Sequence, residues 1–145
     1  MRATAELRDA TPGDAEAVAE LLSEMGYPVS AADAADLLAA FSADAGSRVQ
    51  VAEVSGALAG LIATHVVPRL DSERRSCRIV DLVVAERHRR NGIGAALIDA
   101  AEQEARQQEC TRLDLSTGDW RPDAHAFYER MGFASHARAL VKRLA

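Results

Sequence analysis

The feature that most restricts the fold is the run from Arg78 to Ala101, RIVDLVVAERHRRNGIGAALIDAA. Its first part, Arg78 to Ala85, is apolar on both alternating faces except for Asp81, as expected of a strand at the middle of a sheet covered on both sides. After the basic segment and two glycines, Ile93, Ala96, Leu97, Ala100 and Ala101 recur at helical spacing, which predicts a helix running to about Gln108. A strand that turns through glycines into a helix N-terminus calls for a sheet with helices packed on its faces.

The rest of the chain supplies those layers. Glu6 to Asp9 is a short strand candidate. Thr11 can cap a helix whose first turn takes Pro12, with Val18, Leu21, Leu22 and Met25 on one face and Gly26 and Pro28 as its stop. Ser30 and Asp33 resemble a capping box ahead of Ala34, Leu37, Leu38 and Phe41, so a second amphipathic helix follows. From Arg48 the period changes: VQVAEV and ALAGLIATHVV flank Ser55-Gly56 and read as a β-hairpin. Arg69 to Ser76 is a polar loop. RLDLST is a further strand, Pro122 opens a helix with Ala124, Phe127, Tyr128 and Met131 on its apolar face, and Gly132 stops it. Ser135 to Leu144 reads as a last strand. The expected order is βααβββαβαβ, with no repeat or interdomain linker.

The 145 residues, 48% hydrophobic and 27% charged, suffice for one domain with its own core. No apolar run reaches the roughly 18 residues of a membrane span, and MRATAELRDA has no secretory h-region, so a cytoplasmic protein is expected. Cys77 and Cys110 stand far apart without a metal-type spacing and read as buried free thiols. Net charge is −5, yet Arg69, Arg74, Arg75, Arg78, Arg87, Arg89 and Arg90 gather within one zone after an acidic first part. A nucleic-acid binder ordinarily shows a basic balance and interleaved aromatics, whereas this chain has a pI near 5.3 and 4% aromatics. A small anionic ligand suits a local basic zone better.

Three phosphate-binding patterns compete for Arg87 to Leu97. A P-loop needs a lysine after its glycines, and the only lysine is Lys142. A dinucleotide fingerprint needs a third small residue where Leu97 stands. What remains is a strand, a turn rich in free amides and a helix N-terminus, with glycines that let phosphate oxygens approach the backbone.

The segment Arg89-Arg90-Asn91-Gly92-Ile93-Gly94 fits the signature [QR]-x-x-G-x-[GA], and Ala124-His125-Ala126-Phe127-Tyr128-Glu129-Arg130-Met131-Gly132-Phe133 fits A-x-x-[FL]-Y-x-[KR]-x-G-F. With the element order over nearly the whole chain, these two segments resemble the GNAT superfamily of acetyl-CoA-dependent N-acetyltransferases. The resemblance implies an α/β GNAT acyl-CoA N-acyltransferase fold, a central mixed β-sheet flanked by about four helices, formed by residues 1–145 as one domain. It implies that Arg89, Arg90, Asn91, Gly92, Ile93, Gly94 and Ala95 hold the pyrophosphate of coenzyme A, and that Leu82, Val83 and Val84 line its pantetheine arm. Four adjacent side chains from Arg87 to Arg90 cannot all face one ligand, so some are solvated. Many family members place Asn where this chain has Arg121, which withdraws the cofactor role usual at that position.

The resemblance further implies direct attack of a primary amine on the thioester of acetyl-CoA. Such an amine, with a pKa near 10.4, must lose a proton at a cost of roughly 4 to 5 kcal/mol at pH 7. A tetrahedral oxyanion needs a donor worth roughly 3 to 4 kcal/mol, which a backbone N–H within Leu82–Val84 could supply. Tyr128 matches the family's general acid for the departing thiolate, although its position also suits a core tyrosine. Asp81, a carboxylate in an apolar strand, needs either a cavity or a partner. It reads equally as the group that binds or deprotonates the acceptor and as the partner of an arginine such as Arg78. Glu86, His88, Asp119 and His125 rank below it, and Trp120 is a candidate wall of the acceptor site.

The acceptor is a small molecule or a protein amine, selected by loops at residues 26–32, 69–76 and 118–123, with neither nucleic acid nor membrane as partner. The acidic first part makes a cationic acceptor attractive, and solubility explains it equally well. Many family members dimerise, often through sheet edges or terminal strands, and a homodimer is admitted by this sequence without being required. The alternative from another class is a module that binds CoA without turnover.

Overall fold

A computed structural model describes residues 4–117, 122–137 and 139–145. Five strands form one sheet in the order β1-β2-β3-β4-β5: β1 (Glu6–Asp9), β2 (Ser47–Val54), β3 (Ala57–Pro68), β4 (Arg75–Val84) and β5 (Arg112–Leu115). The first four pair antiparallel, and β5 lies parallel to β4 because α3 (Ile93–Gln107) carries the chain back across the sheet between them. The middle of the sheet is β3, not β4 as the sequence reading expects. Both of its edges are paired, and every residue from Leu58 to Thr64 is buried. The hairpin turn between β2 and β3 has positive φ at both Ser55 (53°) and Gly56 (82°), the twist that tight antiparallel hairpins favour.

Two cores cover the two faces. On one, α1 (Ala15–Glu24) and α2 (Ala31–Ala43) bring Val18, Leu21 and Ala34 against Val51, Leu61 and Val83. On the other, α3 lays Ile93, Leu97 and Ile98 over Ile62 and Ile79, and α4 (Pro122–Arg130) adds Phe127 and Tyr128, with Met131 just past its end. Full burial of side chains such as Leu97 and Ile98 contributes about 1.5 to 3 kcal/mol each, so α3 is pinned to the sheet along its whole length. Gly60 makes the approach close. A Cβ there would stand 2.8 Å from the Val83 carbonyl, 3.1 Å from a Leu97 methyl and 3.2 Å from Ile93.

Helix boundaries follow local chemistry. The Ser30 hydroxyl accepts from the Asp33 N–H at 3.0 Å and starts α2. A 3-10 turn at Pro12–Asp14 precedes α1, and there the Asp14 carboxylate accepts the Thr11 N–H at 2.7 Å and both Arg8 guanidinium N–H groups at 2.8 Å. Arg8 also donates to Glu53 at 2.9 Å, which ties β1, β2 and the start of α1 together.

Two sequence expectations are corrected. The strand expected over Ser135 to Leu144 is absent among the described residues there, which join neither edge of the sheet, β1 or β5. Leu140, Val141 and Leu144 are exposed. Cys77 is a buried free thiol as expected, but Cys110 is only partly buried. Burial pushes the Cys77 thiol up to about 11. Among the described residues no helix is long and apolar enough to cross a membrane.

Hydrogen bonds from Arg8, ahead of the burial cost, hold the Asp14 carboxyl down at about 2 against an ordinary 3.8. A carboxyl depressed by folding stabilises the native state above its ordinary value and loses that contribution as pH falls toward about 2. Asp14→Ala is therefore expected to lower unfolding free energy by about 1 to 2 kcal/mol at pH 7 and by progressively less below pH 4. Urea melts at pH 7 and pH 2 check this, and an equal loss at both contradicts it.

Candidate functional site

The site forms where two parallel strands part. Among the described residues, β5 pairs with β4 only from Ser76–Arg112 to Ile79–Leu115, whereas β4 runs on to Val84. Beyond Ile79 the edge of β4 facing β5 is therefore released from its ladder, and a cleft of about 440 Å³ opens. Its walls include Ile79 to Val83, Leu115 to Thr117, Tyr128, Met25 and Tyr27. This parting explains why Val80 and Asp81 are exposed in a strand whose sequence reads as buried throughout. A register shift in the β3–β4 pairing at Ala63/Thr64 accompanies it, skipping Val80 in the ladder and re-aiming the strand just before Asp81.

Asp81 sits in this cleft rather than in an ion pair. Arg78, the partner the sequence left open, instead donates to Asp114 at 2.7 Å and to Ser116 at 2.6 Å. Among the described residues no salt bridge reaches Asp81, and desolvation raises its carboxyl above the ordinary aspartate value. Tyr128 enters the same cleft from α4. Its ring is held edge-on between Phe127, at a centroid distance of 5.3 Å, and Phe133, at 5.9 Å. The tyrosine packs on the core and also lines the cleft, so its place in the core does not withdraw it from the site.

The glycine turn lies where β4 ends. Ala85 closes the strand by donating to the Ala59 carbonyl at 2.8 Å, a 3-10 turn covers Glu86–His88, and Arg90 (φ 66°) and Gly92 (φ 81°) take left-handed backbone before α3 begins. No side chain caps α3, and the Ala96 N–H bonds to the Gly92 carbonyl at 3.0 Å. The first amides of a helix have no partner within it, so the turn ahead of Ala96 presents donors to an anion. Gly94 serves packing instead, because a Cβ there would lie 3.3 Å from the Phe127 ring and 3.7 Å from Val84. Its missing side chain lets the first turn of α3 close on both the end of β4 and the helix that carries Tyr128.

The arginines diverge, as their crowding requires. Arg87 reaches toward the Leu58 carbonyl at 3.4 Å, and Arg89 toward the Met25 sulfur at 3.7 Å. Of the lower-ranked candidates, Glu86 is exposed and its N–H meets the Glu24 carboxylate at 3.4 Å, while His88 and His125 lie outside the cleft lining. Asp119, Trp120 and Arg121 fall outside the described residues. Residues 69–76 do not line the cleft either. Tyr27 comes from the 26–32 loop expected to select the acceptor, while Met25, Ser116 and Thr117 line the cleft without having been singled out. The helix stop Gly26-Tyr27-Pro28 carried the available signal, a large aromatic placed in a turn.

Residues 15–133 match the family model described as the acetyltransferase (GNAT) family. The chain is 35% identical over 139 residues to an aminoalkylphosphonate N-acetyltransferase of Salmonella typhimurium, covering 92% of this chain and 88% of that one. It is 35% identical over 101 residues to rat N-acetyltransferase 8, covering 70% of this chain and 46% of the relative, so it spans about half the length of that protein. A solved Trypanosoma brucei acetyltransferase superposes with a TM-score of 0.82 at 26% identity, covering 97% of this chain and 100% of that one.

Gly60→Ala tests the seating that sets this geometry. The added methyl meets backbone at Val83 and two side chains of α3, and overpacking of this kind costs about 1 to 3 kcal/mol. The expected outcome is a clear fall in melting temperature with amide exchange of Leu97 to Ala101 accelerated more than that of β1. Unchanged stability would show that α3 does not depend on this contact.

Proposed function

The chain belongs to the acetyltransferase (GNAT) family, and from that membership we propose that residues 1–145 form one catalytic domain that transfers the acetyl group of acetyl-CoA directly to a primary amine. One observation carries the assignment of roles. Beyond its described pairing with β5, the end of β4 brings Asp81 to a cleft that Tyr128 also lines, and the same strand leads directly into the glycine turn ahead of α3.

The turn of Arg89, Arg90, Asn91, Gly92, Ile93, Gly94 and Ala95 holds the pyrophosphate of coenzyme A, with backbone amides from Arg90 onward as the donors, because the Arg89 N–H already bonds to the Glu86 carbonyl at 3.2 Å. The helix-terminal charge adds about 0.3 to 1 kcal/mol to their hydrogen bonds. Leu82, Val83 and Val84 line the pantetheine arm, and a backbone N–H of this open edge donates to the oxyanion that forms on the thioester carbonyl. Asp81 binds the acceptor and takes its proton, directly or through water. The amine nitrogen bonds to the carbonyl carbon, the carbon–sulfur bond breaks, and the Tyr128 hydroxyl protonates the departing thiolate. The raised Asp81 carboxyl suits a base that meets a substrate ammonium, because weaker ionisation brings the two proton affinities closer.

We also infer a homodimer. The tail carries Leu140, Val141 and Leu144 at 92%, 77% and 91% exposure, a segment of strand character without a strand partner, while β5 is an edge strand of four residues. Each copy thus offers both an exposed apolar tail segment and a sheet edge at β5, and reciprocal pairing of tail with edge between two copies covers both. Leu140→Asp with Val141→Asp is expected to convert a dimer to a monomer in sedimentation. An unaltered protein that is monomeric at every concentration overturns the pairing.

The transfer itself is tested by release of free thiol from acetyl-CoA in the presence of a panel of primary amines. Binding of CoA without release, for every amine class, would point instead to a binding module. Tyr128→Phe is expected to lower kcat by about 10²-fold or more with little change in the KM for acetyl-CoA. In Asp81→Asn the acid limb of the pH–rate profile, set by ionisation of Asp81 above the ordinary 3.8, is expected to disappear. Profiles identical to the unaltered protein remove these residues from the mechanism.

A further inference from the structure

α1 ends in a rigid cap that presents a ring the core does not use. The Gly26 N–H donates to the Ser23 carbonyl and the Tyr27 N–H to the Leu22 carbonyl, both at 3.0 Å, with Gly26 at φ 88°. This is the Schellman pattern, in which the residue after the glycine commonly packs back on the last turn of the helix. Tyr27 does not: it remains 65% exposed while its backbone is fixed by the cap. Its exposed side chain lines the same cavity of about 440 Å³ as the Asp81 carboxylate.

A carboxylate and an aromatic ring lining one small cavity make a recognition pair for an alkylammonium, one by charge and the other by its π face. Arg78 is occupied by Asp114 and Ser116 and does not neutralise Asp81. The neighbouring walls, Val80, Leu82 and Leu115, are apolar.

We propose that Tyr27 and Asp81 together form the ammonium site of the acceptor, and that the acceptor is a primary alkylamine whose chain next to the nitrogen is uncharged. This rests on the acetyl-transfer reading of the same cleft. Tyr27 selects and orients the amine and takes no part in moving the acetyl group, so its loss acts on the KM for the amine.

Steady-state thiol release is measured with butylamine, 1,4-diaminobutane and 2-aminoethylphosphonate for the unaltered protein, Tyr27→Phe and Tyr27→Leu. Tyr27→Leu is expected to raise the amine KM by about threefold to thirtyfold, with kcat and the acetyl-CoA KM held. Tyr27→Phe, which keeps the ring, raises it by less than about threefold. Equal KM values for Phe and Leu variants, or a parallel change in the acetyl-CoA KM, overturn the ring's role. Preference for 2-aminoethylphosphonate over butylamine overturns the substrate class. If no amine releases thiol, the transfer reading fails, and calorimetric titration of butylamine into CoA-saturated protein then decides the ammonium site. Saturable binding weakened in Tyr27→Leu sustains it, and its absence in the unaltered protein ends it.

Discussion

Everything at the candidate site depends on the parting of β4 from β5 after Ile79 and Leu115. A parallel ladder that continued to Val84 would consume the backbone edge, close the cleft and bury Asp81 between strands. Because it stops, one strand serves two purposes. Its first half is a ladder element buried between β3 and β5, and its second half is a wall with a backbone edge, a carboxylate and apolar side chains turned toward a small cavity. The register shift opposite Ala63/Thr64 lies at the same level of the strand, so the irregularity in one pairing coincides with the end of the other.

The parting persists because the elements around it are held independently of it. Ile93 and Leu97 seat α3 on β3 through the missing side chain of Gly60, and Gly94 lets the first turn of that helix meet Phe127. On the opposite face, α1 is anchored by its packing on Val51 and Leu61 and by the Arg8–Asp14–Glu53 network at its start. Two helices thus approach the cleft from two layers, α1 with Met25 and Tyr27 just past its end and α4 with Tyr128. Neither needs the ladder that is missing.

The charges show how a short-range arrangement overrides a sequence impression. Arg78 and Asp81 stand three apart on one strand and could be read as a pair. The parallel partner strand decides otherwise, since it sets Asp114 in register with Arg78, and the ion pair forms across the ladder. Asp81 is left to the cavity, where desolvation raises its carboxyl. The crowding of Arg87 to Arg90 resolves similarly, with Arg87 turned toward β3 and Arg89 toward the sulfur at the end of α1.

Local chemistry made much of this legible in advance. Glycine and proline stops, the Ser30 cap, the Ser55-Gly56 turn and the shift from a period near 3.6 to one near 2 act within a few residues, so helix and strand positions, the glycine turn and the family resemblance could be read from the chain alone. Asp81 was conspicuous for the same reason, a charge in an apolar strand. Tyr27 reaches the cleft from the 26–32 loop expected to select the acceptor, but the central place of β3, the absence of a last strand among the described residues and the partner of Arg78 were not legible. Each depends on which strand edge meets which, and such relations between elements remote in sequence are decided only when the layers pack.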